Sequence, residues 1–295
     1  MKDSSDVCEK IRLSVAPNPR RVCRGLCFCV LASGSKGNAV YVSDGQSAIL
    51  IDAGLSGTEI ERRMRACGLQ AADLSAIVVS HEHIDHIRGV GVLARRYRLP
   101  VYLTSRTSDA AARQLGRIDQ AVHFNAGQPF AIDRFCLHPF STPHDAADPT
   151  GFTIQVNGAK LGIATDLGVA PAMVKDHLSG CQALILEANH DLRMLLDGPY
   201  PWPLKQRIQG RTGHLSNEAS RDLLGHLSHA GLHHVVLAHL SEINNTAERA
   251  LAVVAEGLGS CHARVSVARQ DVPCELIPVG ASDGPPVRPG MGSFE

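Results

Sequence analysis

The stretch His81–His86, with the sequence H-E-H-I-D-H, decides the fold and the chemistry of this chain. It directly follows the apolar run Ala76–Val79, as a loop follows the end of a strand. Three imidazoles and a nearby carboxylate suit zinc and related divalent ions. His81 and His83 alternate and can reach one ion, whereas Asp85 and His86 point elsewhere and can reach a second. The stretch therefore predicts a two-metal site at a strand end, where functional loops are commonly built.

A two-metal site needs more ligands than one loop can supply, because a catalytic ion takes about three protein ligands and keeps a position for water. The chain offers three more candidates, each at the end of an apolar, strand-like run. They are His144 in F-S-T-P-H-D, Asp166 in L-G-I-A-T-D-L-G and His239 in V-V-L-A-H-L-S. With Asp52 in A-I-L-I-D-A-G, this series resembles the metallo-β-lactamase-fold signature, from about Leu26 to about Val279.

The resemblance implies a role for each of these residues. Three histidines would hold the first ion: His81, His83 and His144. A carboxylate and two histidines would hold the second: Asp85, His86 and His239. Asp166 would bridge the ions, and Asp52 would orient the histidine loop, as carboxylates commonly do behind metal-bound imidazoles. The cofactors would be two divalent ions per chain, with zinc expected first and manganese or iron as alternatives, because imidazole and carboxylate accept all three.

The element pattern gives the fold class. Strand-like runs fill two halves of the chain, with helices between and outside them. Two helices have capped starts, Asn217–Leu227 after Ser216 and Thr246–Leu258 with Thr246 as its cap. A helix is also expected over Ile87–Tyr97, directly after the histidine loop. The pattern predicts an α/β (α+β) protein built as a four-layer αββα sandwich, with the metal site at one edge where the two sheets meet.

Length and composition bound the remaining possibilities. The chain has 295 residues, and its 29 basic residues balance 29 acidic ones, so any nucleic-acid contact must rest on a local patch. Apolar runs are too short to cross a bilayer, and the N-terminus lacks the apolar core of a signal peptide. Nine scattered cysteines suit reduced thiols. We expect a cytoplasmic protein without a membrane partner; the sequence does not indicate its oligomeric state.

We expect one domain over residues 25–280. Residues 1–24 are predicted to be a flexible extension, because a P-N-P-R-R stretch interrupts any regular element. Residues 281–295 are predicted to be a disordered tail, because they are rich in glycine and proline.

Spacing narrows the choice within the superfamily. Asp166 and His239 are too close for the inserted domain of the β-CASP nucleases, and His144 and Asp166 are too close for the long arm of the tRNA 3′-end nucleases. The segment Leu184–Glu218, with S-G-S-K-G-N near the start and A-H-L-S-E-I-N-N near the end, resembles the YycJ group, also called VicX or WalJ. The resemblance implies a metal-dependent nuclease that degrades DNA from 5′ to 3′, with RNA as another substrate to consider.

His214, in G-H-L-S-N-E, matches a histidine that related tRNA-processing nucleases place near the scissile phosphate. We expect it to contact the transition state or protonate the leaving alkoxide, the alternative being a histidine at a helix start. Glu187 and His190 follow a strand end and would support the metal ligands, although His190 could instead contact substrate.

Cations and aromatic rings near His214 could track phosphates and stack on bases. The predicted substrate-binding residues are Lys36, Tyr200, Trp202, Lys205, Arg207 and Arg211. The alternative for the segment before His214 is a solvated loop shaped by its prolines, and for Lys36 an exposed hairpin turn.

Three functions are compatible with these residues. The first is a dinuclear phosphodiesterase, foremost a nuclease, in which a metal-bridging hydroxide attacks phosphorus. The second is a small-molecule hydrolase that acts on cyclic or short nucleotides, thioesters or lactones. The third is a regulatory metal-binding module, although binding alone would not require a complete ligand set. The catalytic residues expected for the first are Asp85, Asp166 and His214.

Overall fold

The structure is a computed structural model that describes residues 25–280. Within this range the chain forms 14 strands: β1 (Cys27–Ala32), β2 (Ala39–Ser43), β3 (Ala48–Ile51), β4 (Leu74–Val78), β5 (Val101–Leu103), β6 (Ala121–His123), β7 (Phe130–Ile132), β8 (Phe135–Ser141), β9 (Thr150–Val156), β10 (Ala159–Ala164), β11 (Ala183–Glu187), β12 (His234–Ala238), β13 (Arg264–Val267) and β14 (Ile277–Pro278). The predicted extension and tail lie outside the described residues, and the domain boundaries stay a prediction.

The same range contains nine α-helices: α1 (Gly57–Ala66), α2 (Ile84–Ile87), α3 (Val90–Tyr97), α4 (Ser105–Leu115), α5 (Ala172–Leu178), α6 (Leu192–Asp197), α7 (Trp202–Gln209), α8 (Asn217–Leu227) and α9 (Ala247–Val254). Short 3₁₀ helices cover Ala71–Asp73 and Ala255–Leu258. Ser216 and Thr246 cap α8 and α9 as predicted, each accepting a hydrogen bond from a backbone N–H three residues on. In residues 25–280, no helix is both long and apolar enough to span a bilayer.

The strands form two seven-stranded sheets. The order is β14-β1-β2-β3-β4-β5-β6 in the first and β13-β12-β11-β10-β9-β8-β7 in the second. In the first sheet β3, β4, β5 and β6 are parallel, and in the second β10, β11, β12 and β13 are parallel. Because the carboxyl ends of parallel strands share one edge of a sheet, the loops after β4, β10, β11 and β12 can meet.

The two sheets and the helices on their outer faces form four layers, and a cluster of buried apolar side chains fills each of the three spaces between them. Side chains from both sheets form the central cluster, including Phe28 and Ile51 from the first and Phe152 and Ile185 from the second. A second cluster packs the outer face of the first sheet against α1, α3 and α4. A third packs the outer face of the second sheet against α5, α8 and α9. The predicted αββα sandwich is confirmed.

The helix predicted over Ile87–Tyr97 differs in one respect. Regular helix begins only at Val90, as α3, and the separate short helix α2 covers Ile84–Ile87 within the histidine loop. The backbone N–H of Gly89 donates to the Ala53 carbonyl oxygen at 2.7 Å, and a side chain at this position would collide with the Leu55 carbonyl oxygen. This close approach of two backbones holds the histidine loop against the loop that follows β3.

Candidate metal centre

The loop after β4 supplies the first ligand cluster. His81 and His83 lie in this loop with ring centroids 4.5 Å apart, and His144 arrives from the loop after β8. The Nε2 atom of His144 lies 3.4 Å from Nδ1 of His83. One nitrogen from each of the three rings lies within 4.8 Å of the other two, close enough to surround one ion.

The second cluster uses the other half of the same loop. Asp85 and His86 lie in α2, and His239 follows the end of β12. The Oδ2 atom of Asp85 is 3.5 Å from Nε2 of His86 and 3.5 Å from Nε2 of His239. Two nitrogens and one oxygen therefore converge on a second position.

Asp166 lies between the two clusters, after β10. Its Oδ2 is 3.4 Å from Nε2 of His86, and its Oδ1 is 3.4 Å from Nε2 of His239. Its Oδ1 is also 3.9 Å from Nε2 of His144, which belongs to the first cluster. The carboxylate thus faces ligands of both clusters, the geometry that a bridging ligand requires.

Buried polar atoms without hydrogen-bond partners are consistent with metal ions at this position. Within residues 25–280, three buried polar atoms of the clusters have no hydrogen-bond partner: His81 Nε2, Asp166 Oδ2 and His239 Nε2. A buried polar group without a partner costs about 1–3 kcal/mol, so native structures rarely tolerate several together. Coordination to two cations, one at each cluster, would give all three atoms a partner.

Backbone strain is concentrated at the same residues. Asp52, Asp166 and His239 adopt the left-handed conformation, with φ of 59°, 59° and 56°. This region is unfavourable for residues other than glycine, and such strain commonly occurs at functional sites. Asp52 and His239 directly follow a strand, and Asp166 lies two residues after the end of β10, so the unusual backbone turns each side chain near a strand end.

Asp52 orients the histidine loop from behind. Its Oδ1 accepts from the Ser80 backbone N–H, and its Oδ2 accepts from the Ser80 hydroxyl, both at 2.8 Å. Its Oδ2 also lies 2.8 Å from Nδ1 of His86. The carboxylate thereby fixes the protonated nitrogen of His86 and leaves Nε2 directed at Asp85 and Asp166.

Glu187, at the end of β11, has no exposed surface and contacts two histidines. Its Oε1 lies 2.7 Å from Nδ1 of His214 and 3.3 Å from Nδ1 of His239. Its Oε2 accepts from the backbone N–H groups of Leu167 and Leu215, each at 3.1 Å. One carboxylate therefore orients His239 from behind and sets the tautomer of His214.

The charges around the two clusters favour an ionised Asp166 and a neutral His81, as metal ligation needs. For His86 and His239, burial lowers the pKa but the charge of Asp166 holds it well above its usual range, so a metal bound there would displace a proton. Burial opposes ionisation of Asp166, but the charges of His239 and His86 hold the pKa of its carboxyl well below its usual range. Burial and the charge of His86 hold the pKa of His81 well below its usual range, which favours the neutral imidazole. For Glu187, burial raises the pKa, but the charge and hydrogen bond of His214 bring it down to about 2.

A cavity of about 250 Å³ opens over the two clusters. Metal-site residues and His214 line its floor, and its rim includes Tyr200 and Arg207. The Nε atom of Arg207 lies 2.5 Å from Oδ2 of Asp145, which holds the guanidinium at the rim. The structure thus brings His214, Tyr200 and Arg207 to one opening.

Lys205 lies elsewhere, although the sequence suggests a substrate contact for it. The residue is buried in α7, and its ammonium donates to the Leu196 carbonyl oxygen at 2.5 Å, near the end of α6. A buried ammonium needs such a partner. This bond links two helices, so the predicted substrate contact would require the ammonium to leave the Leu196 carbonyl oxygen.

The position of His190 does not suit substrate contact, which was one of its two predicted roles. It is 1% exposed, and burial lowers its pKa to about 4. It pairs with Ser216 in an isolated bridge at the start of α8, and neither ring nitrogen has a hydrogen-bond partner within residues 25–280. A direct substrate contact would require this buried ring to leave its position, so the structure does not favour that role.

Three further candidates are surface residues. Trp202 is 59% exposed at the start of α7, and Arg211 is exposed just after that helix. Lys36 lies in the turn after β1, with its ammonium 2.7 Å from Oε2 of Glu242. These side chains are available to a long substrate, but a small ligand in the cavity would not need them.

Sequence reasoning missed several supporting residues. The Asn38 amide donates to Oδ2 of Asp85 at 3.2 Å, and the Asn189 amide donates to the carbonyl oxygen of His239 at 2.8 Å. Asn38 belongs to the quoted motif S-G-S-K-G-N, and Asn189 lies in the segment Leu184–Glu218, so both lie in stretches that carried the resemblance without indicating these roles. Asp145 follows His144 directly, but its pairing with Arg207 could not be foreseen, because the two are 62 residues apart.

Comparison with known proteins identifies the family. Residues 47–240 match the family described as the beta-lactamase superfamily domain. The chain belongs to this superfamily. Its relatives there include the protein named exodeoxyribonuclease YycJ of Bacillus anthracis, which is 40% identical over 236 residues, or 79% of this chain and 89% of the relative. The protein named exodeoxyribonuclease WalJ of Streptococcus pneumoniae is 34% identical over 230 residues, or 77% and 86%.

A solved structure supports the fold. The metallo-beta-lactamase fold protein YhfI from Bacillus subtilis aligns with a TM-score of 0.67 at 16% identity, over 85% of this chain and 99% of that one. The resemblance to the YycJ and WalJ group, read from the sequence motifs, is confirmed by the two named relatives.

Proposed function

We propose that this protein is a metal-dependent exodeoxyribonuclease. The observation that carries the proposal is the convergence of two ligand clusters on Asp166 beneath an open cavity, in a chain whose relatives bear that name. Neither part is sufficient alone, because the fold hosts many chemistries. Together they favour phosphodiester hydrolysis of DNA.

The ligand clusters fit two divalent ions, with zinc as the first candidate. His81, His83 and His144 would hold one ion, and Asp85, His86 and His239 the other, with Asp166 shared. When bound, such a pair activates water for attack and neutralises charge on a scissile phosphate.

His214 is proposed as the group that delivers a proton to the leaving oxygen. Its Nδ1 is occupied by Glu187 at 2.7 Å, so Nε2 is the nitrogen left for a substrate in the cavity. Glu187 accepts the proton on Nδ1 and holds the ring in place, so a proton for the leaving oxygen would be carried on Nε2.

Substrate binding is proposed for the rim of the cavity. Arg207 would meet a phosphate next to the scissile one, and the Tyr200 ring would contact a sugar or base, as aromatic residues do along single strands. The cavity of about 250 Å³ would hold only part of a strand, and attack at a strand end is proposed from the name of the relatives.

The test is an exonuclease assay on 5′-labelled and 3′-labelled DNA, single-stranded and double-stranded, with RNA in parallel and with zinc or manganese supplied. We expect metal-dependent shortening from the 5′ end, abolished in Asp166→Ala and retained in Asp133→Ala, an exposed turn aspartate. If only RNA were cleaved, the substrate would be RNA and the proposal of a deoxyribonuclease would be wrong. Turnover of a small phosphodiester without shortening of DNA would favour the small-molecule hydrolase.

A further inference from the structure

Three cysteines meet on the outer side of the first sheet, away from the metal clusters. Cys29 is fully buried in β1, Cys67 is partly exposed at the end of α1, and Cys274 is partly exposed just before β14. All three pack on the cluster of apolar side chains between this sheet and its helices. The proposed nuclease chemistry uses none of them.

The sulfur atoms of two of these residues are close. The Sγ of Cys29 lies 3.9 Å from the Sγ of Cys67, and both are free thiols. Cys29 Sγ is also 3.1 Å from the Cys274 carbonyl oxygen. A disulfide needs a sulfur separation of about 2.05 Å, so the first pair must close by roughly 2 Å.

The position of Cys67 allows that movement. Cys67 directly follows α1 as its C-terminal capping residue, and the exposed Gly68 follows it with φ of 71°. A glycine in this conformation ends the helix, so the Cys67 side chain lies at a partly exposed helix end. Cys29 lies inside a paired strand, so we expect Cys67 to be the residue that moves.

Cys274 is held differently. Its Sγ accepts a hydrogen bond from the Val30 backbone N–H at 3.0 Å, and its own N–H donates to the Val30 carbonyl oxygen at 3.0 Å. These bonds fix Cys274 beside β1 as part of the sheet edge. Forming a bond from its sulfur to Cys29 would break one of them.

We propose that Cys29 and Cys67 form an oxidation site that converts reversibly to a disulfide when the protein meets a peroxide. The reactive form is the Cys67 thiolate, because a thiolate is the nucleophile in such reactions. The hydrogen bond from Cys29 lowers the pKa of Cys67 to about 7 although burial raises it, and this favours the thiolate.

The chemistry balances in two steps. The Cys67 thiolate attacks one oxygen of hydrogen peroxide, the O–O bond breaks, hydroxide leaves, and Cys67 becomes a sulfenic acid. The Cys29 sulfur then attacks the Cys67 sulfur, the S–O bond breaks, and the hydroxyl group leaves as water with the Cys29 proton. Peroxide gains the two electrons that the two thiols lose, and a thiol reductant reverses the reaction.

The test is peptide mapping of the full-length protein after brief treatment with hydrogen peroxide and alkylation of the remaining thiols. We expect a peptide pair linked through Cys29 and Cys67 that separates on reduction. The linked pair should be lost in Cys67→Ser and retained in Cys274→Ser. It should also be retained in Cys261→Ser, a matched control at another partly exposed free thiol.

Two results would overturn the proposal. One is a peroxide-treated wild type in which Cys29 and Cys67 are not linked, whether Cys67 is alkylated or carries a higher oxide. The other is a link from Cys29 to Cys274 that persists in Cys67→Ser. Circular dichroism of Cys67→Ser guards against a folding defect, and Cys67→Ala provides a second variant without a polar side chain.

Discussion

The Nδ1 atom of His214 lies 2.7 Å from Oε1 of Glu187, a carboxylate with no exposed surface. The same oxygen lies 3.3 Å from Nδ1 of His239, a residue of the second ligand cluster. One buried carboxylate therefore links a residue proposed to move a proton with a residue proposed to hold a metal. This arrangement lets the two functions be separated by mutation.

Replacing His214 with alanine should slow hydrolysis without emptying the metal site. We expect kcat on DNA to fall by about 10²–10⁴, the usual contribution of a positioned acid or base. Metal content, measured by elemental analysis, should remain at the wild-type value, because the two ligand clusters stay complete. His123→Ala, on the exposed edge strand β6, is the matched control. A His214→Ala enzyme with wild-type kcat would remove this residue from the mechanism.

Replacing Asp52 should weaken metal binding although Asp52 is not expected to touch the metal. Its carboxylate fixes His86 at 2.8 Å, and loss of such a partner typically costs 10–100-fold in metal affinity, an order-of-magnitude expectation. Competition with a chromophoric chelator would measure the zinc Kd of Asp52→Ala against Asp133→Ala. Equal affinities in the two variants would contradict the orienting role.

Two basic residues of α7 should respond in opposite ways. Arg207→Ala should raise KM for DNA and flatten its dependence on salt, because Arg207 lies at the cavity rim and would neutralise a phosphate. Lys205→Ala should leave KM unchanged and lower the Tm, because Lys205 is buried and donates to the Leu196 carbonyl oxygen. Kinetics at several salt concentrations and thermal unfolding of both variants would check this. A raised KM in Lys205→Ala with unchanged Tm would restore the substrate role suggested by the sequence.

Glu59 should stabilise the fold in a pH-dependent way. Hydrogen bonds from Arg62, and then from Arg63, lower its pKa from 4.5 to about 2. Because the pKa of Glu59 is lower in the folded state than in the unfolded state, ionised Glu59 stabilises the fold at pH values above about 4.5. This stabilisation is lost as the pH falls from about 4.5 towards 2.

We therefore expect Glu59→Gln to lower the free energy of unfolding by about 1 kcal/mol at pH 7, since the pairs are partly exposed. The difference from wild type should shrink as the pH is lowered through that window in urea titrations. Glu256→Gln, in a long and exposed ion pair, is the control. A difference that grows on acidification would contradict the assignment.

The ligand clusters could be predicted from the sequence because their signal is local. His81–His86 places four candidate ligands in one loop, and His144, Asp166 and His239 each follow an apolar run that forms a strand. Parallel strands have their carboxyl ends at one edge of a sheet, so residues that follow different strands lie close together there although they are far apart in sequence. Recognising the strand ends in the sequence was therefore enough to predict both the fold and the position of the site.

The remaining features depend on contacts between distant segments. The side chain of Lys205 reaches the end of α6, and Asp145 pairs with Arg207 at the cavity rim. Neither contact produces a periodic pattern in the sequence from which it could be predicted. The break at Gly89 likewise follows from the approach of the loop that ends near Leu55. Burial of a charged side chain and the close packing of two backbones are tertiary facts, which local propensity does not encode.

The most direct test of the proposed metal nuclease is a metal titration of the chelator-treated protein with DNA hydrolysis as the readout. Zinc or manganese would be added in known equivalents, and release of nucleotides from a labelled strand would be followed at each point. We expect no hydrolysis without metal and a rise in rate that reaches its plateau at two equivalents per chain. Hydrolysis that survives complete metal removal, or a plateau at one equivalent, would contradict the dinuclear site.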